Sequence, residues 1–84
     1  MRKDWHEKAL NEYLYWQSQD KKTVKKINSL IKMIERSGKA GQAELQKGDL
    51  SEWISARIDQ TNRLIYSIEG DVMEIMSCRG HYNY

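Results

Sequence analysis

Trp53-Ile54-Ser55-Ala56-Arg57-Ile58 and Arg63-Leu64-Ile65-Tyr66-Ser67-Ile68, separated by Asp59-Gln60-Thr61-Asn62, decide the fold, because here the apolar period of the chain becomes two. Ile54, Ala56 and Ile58 fall on one side of the first segment, with Trp53, Ser55 and Arg57 on the other. Leu64, Tyr66 and Ile68 alternate in the same way with Arg63, Ile65 and Ser67. These are two strands joined by a polar turn. Glu69-Gly70-Asp71 makes a second tight turn, and Val72 to Cys78 a third, mostly apolar strand. The expected sheet is an antiparallel meander, with residues 1 to 5 a candidate edge strand.

Upstream the period is helical. Ala9, Leu10, Tyr13, Leu14 and Trp16 predict a helix over about residues 6 to 18, and Asp4 and Glu7 stand in capping-box spacing at its start. Asp20 can cap a second helix, in which Val24, Ile27, Leu30, Ile31 and Ile34 form an apolar stripe opposite most of the lysines. A short connection between two amphipathic helices predicts an antiparallel hairpin whose apolar face needs a cover. Residues 37 to 49 lose the pattern around Gly38, Gly41 and Gly48 and read as a functional loop. The expectation is an α+β fold, with the helical hairpin on one sheet face and the other face open to a ligand.

Composition bounds what such a fold can do. At 84 residues, 31% charged and 39% apolar, the chain reads as one domain over 1–84, too short for an enzyme with a separate cofactor-binding half. With a mean hydropathy of −0.85 and no long apolar run, no membrane span is expected. The charged start, Met1-Arg2-Lys3-Asp4, does not read as a signal peptide, so a cytoplasmic location is expected. A single cysteine, Cys78, can neither close an internal disulfide nor assemble a zinc site, and no metal or cofactor is expected. The net charge of +2 conceals a segregated distribution: residues 21 to 39 hold seven basic groups against Glu35 alone. Such a stripe is either a solvated lysine face or a surface for a polyanion, nucleic acid first.

Strand parity then brings two arginines together. If the two apolar sets share the buried face, Arg57 and Arg63 share the other, directly opposite or one diagonal step apart. Like charges there repel, so either a carboxylate (Glu44, Asp59 or Glu69) neutralises them or an anionic ligand such as phosphate does. The end of the chain, Cys78-Arg79-Gly80-His81-Tyr82-Asn83-Tyr84, adds a third arginine, an imidazole able to transfer protons near neutral pH and two phenols. Glu44 is the one acid in the glycine-bearing loop before Lys47. RNA cleavage without a metal needs a base for the 2'-hydroxyl, cations for the phosphorane and an acid for the leaving oxygen, and these residue types supply all three.

The chain resembles the YoeB/Txe branch of the RelE/ParE toxin superfamily along nearly its whole length. The resemblance rests on Tyr13-Leu14-Tyr15-Trp16, Lys25-Lys26-Ile27-Asn28, Lys47-Gly48-Asp49-Leu50-Ser51, Arg57-Ile58, Asn62-Arg63-Leu64-Ile65-Tyr66 and Ser77-Cys78-Arg79-Gly80-His81-Tyr82. It implies a RelE-like microbial ribonuclease-type fold and a ribosome-dependent mRNA endonuclease of a type II toxin-antitoxin pair. It also implies an acidic, partly disordered antitoxin of the YefM/Axe kind and is compatible with a homodimer, the free oligomeric state being left open by the sequence. By the same resemblance Glu44 would be the general base, Arg57 and Arg63 the phosphate ligands, His81 the general acid, Lys47 an electrostatic helper and Tyr82 a substrate-orienting group. The sequence departs from the family at Ala56, which stands where a first arginine is usual, at Glu52 and Ile54, in a loop without prolines, and in the added Asn83-Tyr84. The reading from another class is a non-catalytic docking toxin or antitoxin-binding module of the same fold, which fold alone does not separate from a nuclease.

Overall fold

The computed structural model describes residues 1–37 and 53–80, and the backbone of 43–45. The elements run β1 (Arg2–Trp5), α1 (Glu7–Gln19), α2 (Lys21–Ser37), β2 (Ala43–Leu45), β3 (Ile54–Arg57), β4 (Arg63–Glu69) and β5 (Val72–Ser77). The five strands form one sheet in the order β1-β5-β4-β3-β2.

Asp20 alone separates the helices. Its backbone N–H donates to the Trp16 carbonyl at 2.8 Å and closes α1, while its carboxylate accepts from the N–H groups of Lys22 and Thr23 and from the Thr23 hydroxyl, capping α2. Tyr13 Oη donates to Asn28 Oδ1 at 2.8 Å, a contact that only an antiparallel hairpin about Asp20 allows. The expected cap at Asp4 is not made. Asp4 lies in β1, and α1 starts after His6 without a side-chain cap.

The apolar stripe of α2 is buried as expected at Ile27, Leu30, Ile31 and Ile34, whereas Val24 is only half-buried. It meets Ala9 of α1 and the sheet residues Ala56, Ile58, Leu64, Tyr66, Met73, Ile75 and Cys78 in one core. The meander β3-β4-β5 has the expected parity, with Ala56 opposite Leu64, Ile54 opposite Tyr66, and Tyr66 opposite Ile75. Gly70, φ 61°, occupies the first central position of the two-residue β4–β5 hairpin, where positive φ favours glycine.

Three expectations change. The sheet is mixed and not purely antiparallel, since β1 pairs parallel with β5, from Arg2 opposite Val72 to Trp5 opposite Ile75. The segment read as a loop contains a strand, β2, antiparallel to β3. The second sheet face is covered at its centre: Ser55 is 3% and Ile65 1% exposed, although neither belongs to the parity set that packs under the helices.

Candidate active site

Cross-strand register fixes the two arginines. Arg57 is the direct partner of Arg63, so both side chains leave the sheet on the face opposite Ala56 and Leu64. Arg57 is exposed and Arg63 half-buried. Among the described residues neither forms an ion pair. Asp59, one possible neutralising group, is engaged elsewhere: its Oδ1 accepts from the Thr61 N–H at 2.8 Å and the Asn62 N–H at 2.8 Å, and both its oxygens accept from Asn62 Nδ2. Burial pushes its carboxyl pKa up, but these bonds, led by the Asn62 side chain, outweigh burial and hold it below the usual carboxylate value. Arg63 Nε is buried and has no hydrogen-bond acceptor among the described residues. Among the described residues, an unsatisfied guanidinium N–H thus stands beside a second guanidinium without a counter-charge, an arrangement that favours an anion.

The turn also holds the end of the chain. Gly80 N–H donates to Asn62 Oδ1 at 2.9 Å, and the Arg63 N–H donates to the Gly80 carbonyl at 3.1 Å. Gly80 adopts φ 86°, a left-handed conformation that side chains strain to reach. The residue preceding His81 is thereby fastened to Arg63. Asn62 is the joint the sequence reading missed: its carbonyl accepts from the N–H groups of Ile58 and Asp59, its amide donates to Asp59, and its side-chain oxygen holds Gly80. The Asp-x-x-Asn spacing signals the turn, but not which distant strand the turn captures.

From the other side α1 grips the same terminus. Glu12 Oε1 accepts from the Cys78 N–H at 2.8 Å, and Trp16 Nε1 donates to the Cys78 carbonyl at 3.0 Å. Arg79 stands apart from the other two arginines, its guanidinium 3.7 Å from the Tyr15 ring centroid on α1. Beside it an open recess of about 540 Å³, lined by Glu7, Lys8, Asn11, Glu12, Tyr15 and Arg79, belongs to the outer side of α1 and not to the Arg57–Arg63 face.

Glu44 is the register partner of Ser55, two residues along β3 from Arg57 and in the same alternate set. Its side chain, and all of Lys47, His81 and Tyr82, lie outside the described residues. Ala56 is fully buried in the core, on the helix side of the sheet and away from the arginine pair. Among the described residues no group of three or more His, Cys, Asp and Glu side chains could hold a metal ion.

Relatives match nearly the whole of this chain. The model of the YoeB-like toxins of bacterial type II toxin-antitoxin systems matches residues 5–82. The chain belongs to this family. Toxin YoeB of Escherichia coli (strain K12) is 46% identical over 81 residues, spanning 93% of this chain and 95% of that protein. Among solved structures, the YoeB dimer from Staphylococcus aureus superposes with a TM-score of 0.90 at 38% identity, and the YoeB–YefM complex from the same organism with 0.89 at 36%, each covering 98% of both chains. The expected YoeB/Txe resemblance and the α+β fold are therefore borne out, with the sheet mixed and extended at both edges. No helix among the described residues is long and apolar enough to cross a membrane.

Proposed function

We propose that this YoeB-like toxin is a ribosome-dependent mRNA endonuclease. The observation that carries the reading is the opposed pair Arg57–Arg63 without a counter-charge among the described residues, one member holding a buried Nε–H that lacks an acceptor. A phosphodiester entering a developing dianionic phosphorane is the ligand whose charge and geometry two guanidinium forks match best. In the proposed reaction Glu44 accepts the proton of the 2'-hydroxyl, the 2'-oxygen attacks phosphorus, and Arg57 and Arg63 stabilise the charge that accumulates. The bond from phosphorus to the 5'-oxygen breaks and His81 protonates the departing oxygen. Lys47 adds positive potential and Tyr82 orients the substrate. The ribosome supplies what a shallow site on a small sheet lacks, a strand held in the in-line conformation.

The partners follow from the same reading. The staphylococcal relative is seen in complex with YefM and as a dimer; here an antitoxin of that kind, acidic, would neutralise the basic site, and a homodimer is compatible with the fold. The protein would act in the cytoplasm, where its mRNA target is translated.

Primer extension on a defined mRNA, with and without ribosomes, tests this. Cleavage is expected only with ribosomes, and Glu44→Ala, Arg63→Ala and His81→Gln should each abolish it. If the purified protein arrests growth on expression yet cuts in neither arm, or if His81→Gln stays fully active, the docking-toxin reading replaces the nuclease.

A further inference from the structure

β5 ends at Ser77, opposite Ile65, and the chain beyond it is held largely by side chains. Cys78 is tied at both its N–H and its carbonyl to Glu12 and Trp16 of α1, and Arg79 lies over the Tyr15 ring. Gly80 then returns to the start of β4, where its carbonyl accepts from the Arg63 N–H at 3.1 Å. In a regular antiparallel pair the Gly80 N–H would be given back to the Arg63 carbonyl. Here it goes to Asn62 Oδ1 at 2.9 Å. Asn62 is itself oriented for this, since its Nδ2 donates to both oxygens of Asp59 at 3.1 Å and to Thr61 Oγ1 at 3.2 Å, which turns its oxygen toward Gly80. The β3–β4 turn closes without that oxygen. Asp59 Oδ1 accepts from the N–H groups of Thr61 and Asn62, and the Asn62 carbonyl accepts from those of Ile58 and Asp59.

We infer that Asn62 is a positioning residue for the cleavage step: by holding Gly80 it sets the place from which the next residue of the chain, His81, reaches the bound phosphate. This role rests on the proposed function, in which His81 protonates the leaving 5'-oxygen while Arg57 and Arg63 hold the phosphate. Both bonds to Gly80 come from residues 62 and 63, so the strand that carries one phosphate ligand also fixes the departure point of the acid. The Cα of His81 follows that of Gly80 by about 3.8 Å across one trans peptide. Proton transfer needs donor and acceptor within about 3.2 Å of each other, and a misplacement of about 1 Å can cost a hundredfold in rate. Without the Asn62 bond the last side-chain tie before His81 is at Cys78, three residues earlier and made to α1 instead of to the arginine strand. As a mere brace the bond does little, because Gly80 is exposed and its N–H can turn to water. Its value lies in registering the acid against Arg63.

The test is single-turnover cleavage of a defined mRNA on ribosomes over a range of protein concentrations, beside amide hydrogen exchange of the free protein. Asn62→Ala is expected to slow cleavage at saturating protein by about a hundredfold while the half-saturating concentration stays where it is. Exchange of the Gly80 N–H should rise about tenfold or more as its acceptor is lost. Thr61→Ala removes turn bonds to Asp59 and Asn62 but leaves the Gly80 bond in place, so it should keep the wild-type rate and the wild-type Gly80 exchange. Circular dichroism confirms that each variant is folded. An Asn62→Ala protein that cuts at the wild-type rate overturns the positioning role, as does a loss confined to the half-saturating concentration. So does an equal loss in Thr61→Ala, or Gly80 exchange that Asn62→Ala leaves unchanged. A wild type that fails to cut on ribosomes removes the nuclease reading and this role with it, whereas a wild type that cuts beside an unimpaired Asn62→Ala removes this role alone.

Discussion

Arg57 and Arg63 face each other across β3 and β4 with no counter-ion among the described residues, an arrangement that opposes folding. Like charges in direct cross-strand register destabilise by roughly 0.2–1 kcal/mol. Arg57→Gln is therefore expected to stabilise the free protein by a few tenths of a kcal/mol while cleavage is lost. Urea denaturation measures the first effect and primer extension the second; a midpoint that falls would mean that Arg57 has a stabilising partner. Cys78 behaves in the contrary way, as a residue made inert. Burial, reinforced by the nearby Glu12 carboxylate and partly offset by Lys8, pushes its thiol pKa up to about 12. A colourless thiol should thus persist with an aromatic disulfide reagent at pH near 8 in the native protein, and one equivalent should react once it is unfolded. Rapid modification of the native protein would contradict the buried position.

At the scale of elements, two carboxylates hold connections in place: Asp20 between the helices and Asp59 in the β3–β4 turn. Asp20 is lowered chiefly by the hydrogen bond from the Thr23 hydroxyl, and Asp59 is lowered because its turn hydrogen bonds outweigh its burial. A folded-state pKa below the unfolded one contributes stability above about pH 4 that is lost as pH falls through the folded value. Asp20→Asn/Asp59→Asn, which keeps polar acceptors at both caps, should flatten the fall of Tm on acidification. Parallel curves for variant and wild type would show that other carboxylates carry the acid sensitivity. The same elements show what a sequence discloses. α2 was legible because five apolar residues repeat at helical spacing, and the arginine pair because parity permits few registers. β2 was not, since Ala43-Glu44-Leu45 is too short to establish a period, and β1, Arg2-Lys3-Asp4-Trp5, earns its place from the free edge of β5 and not from its own pattern. Nor was the hold of Asn62 on Gly80, a contact between residues 18 apart, because side-chain capture of a remote backbone leaves no periodic mark.

The described residues build one thin core, and the arginine site depends on it. At about 0.05–0.15 kcal/mol per residue, a chain of this length is stable by roughly 4–13 kcal/mol. Ile34 is fully buried in the cluster that joins the helices to Leu64, Tyr66 and Ile75 of the sheet. Ile34→Ala should cost about 2–5 kcal/mol, a large part of that total. Helix layer and sheet share this cluster, and among the described residues α2 has no second body of apolar contacts with which to survive alone. The loss is expected to appear as one cooperative transition, coincident by far-ultraviolet circular dichroism and by the fluorescence of Trp5 and Trp16, both packed against the core. Two separated transitions would mean that the helical hairpin and the sheet fold independently, in which case the arginine site could outlast the helical layer.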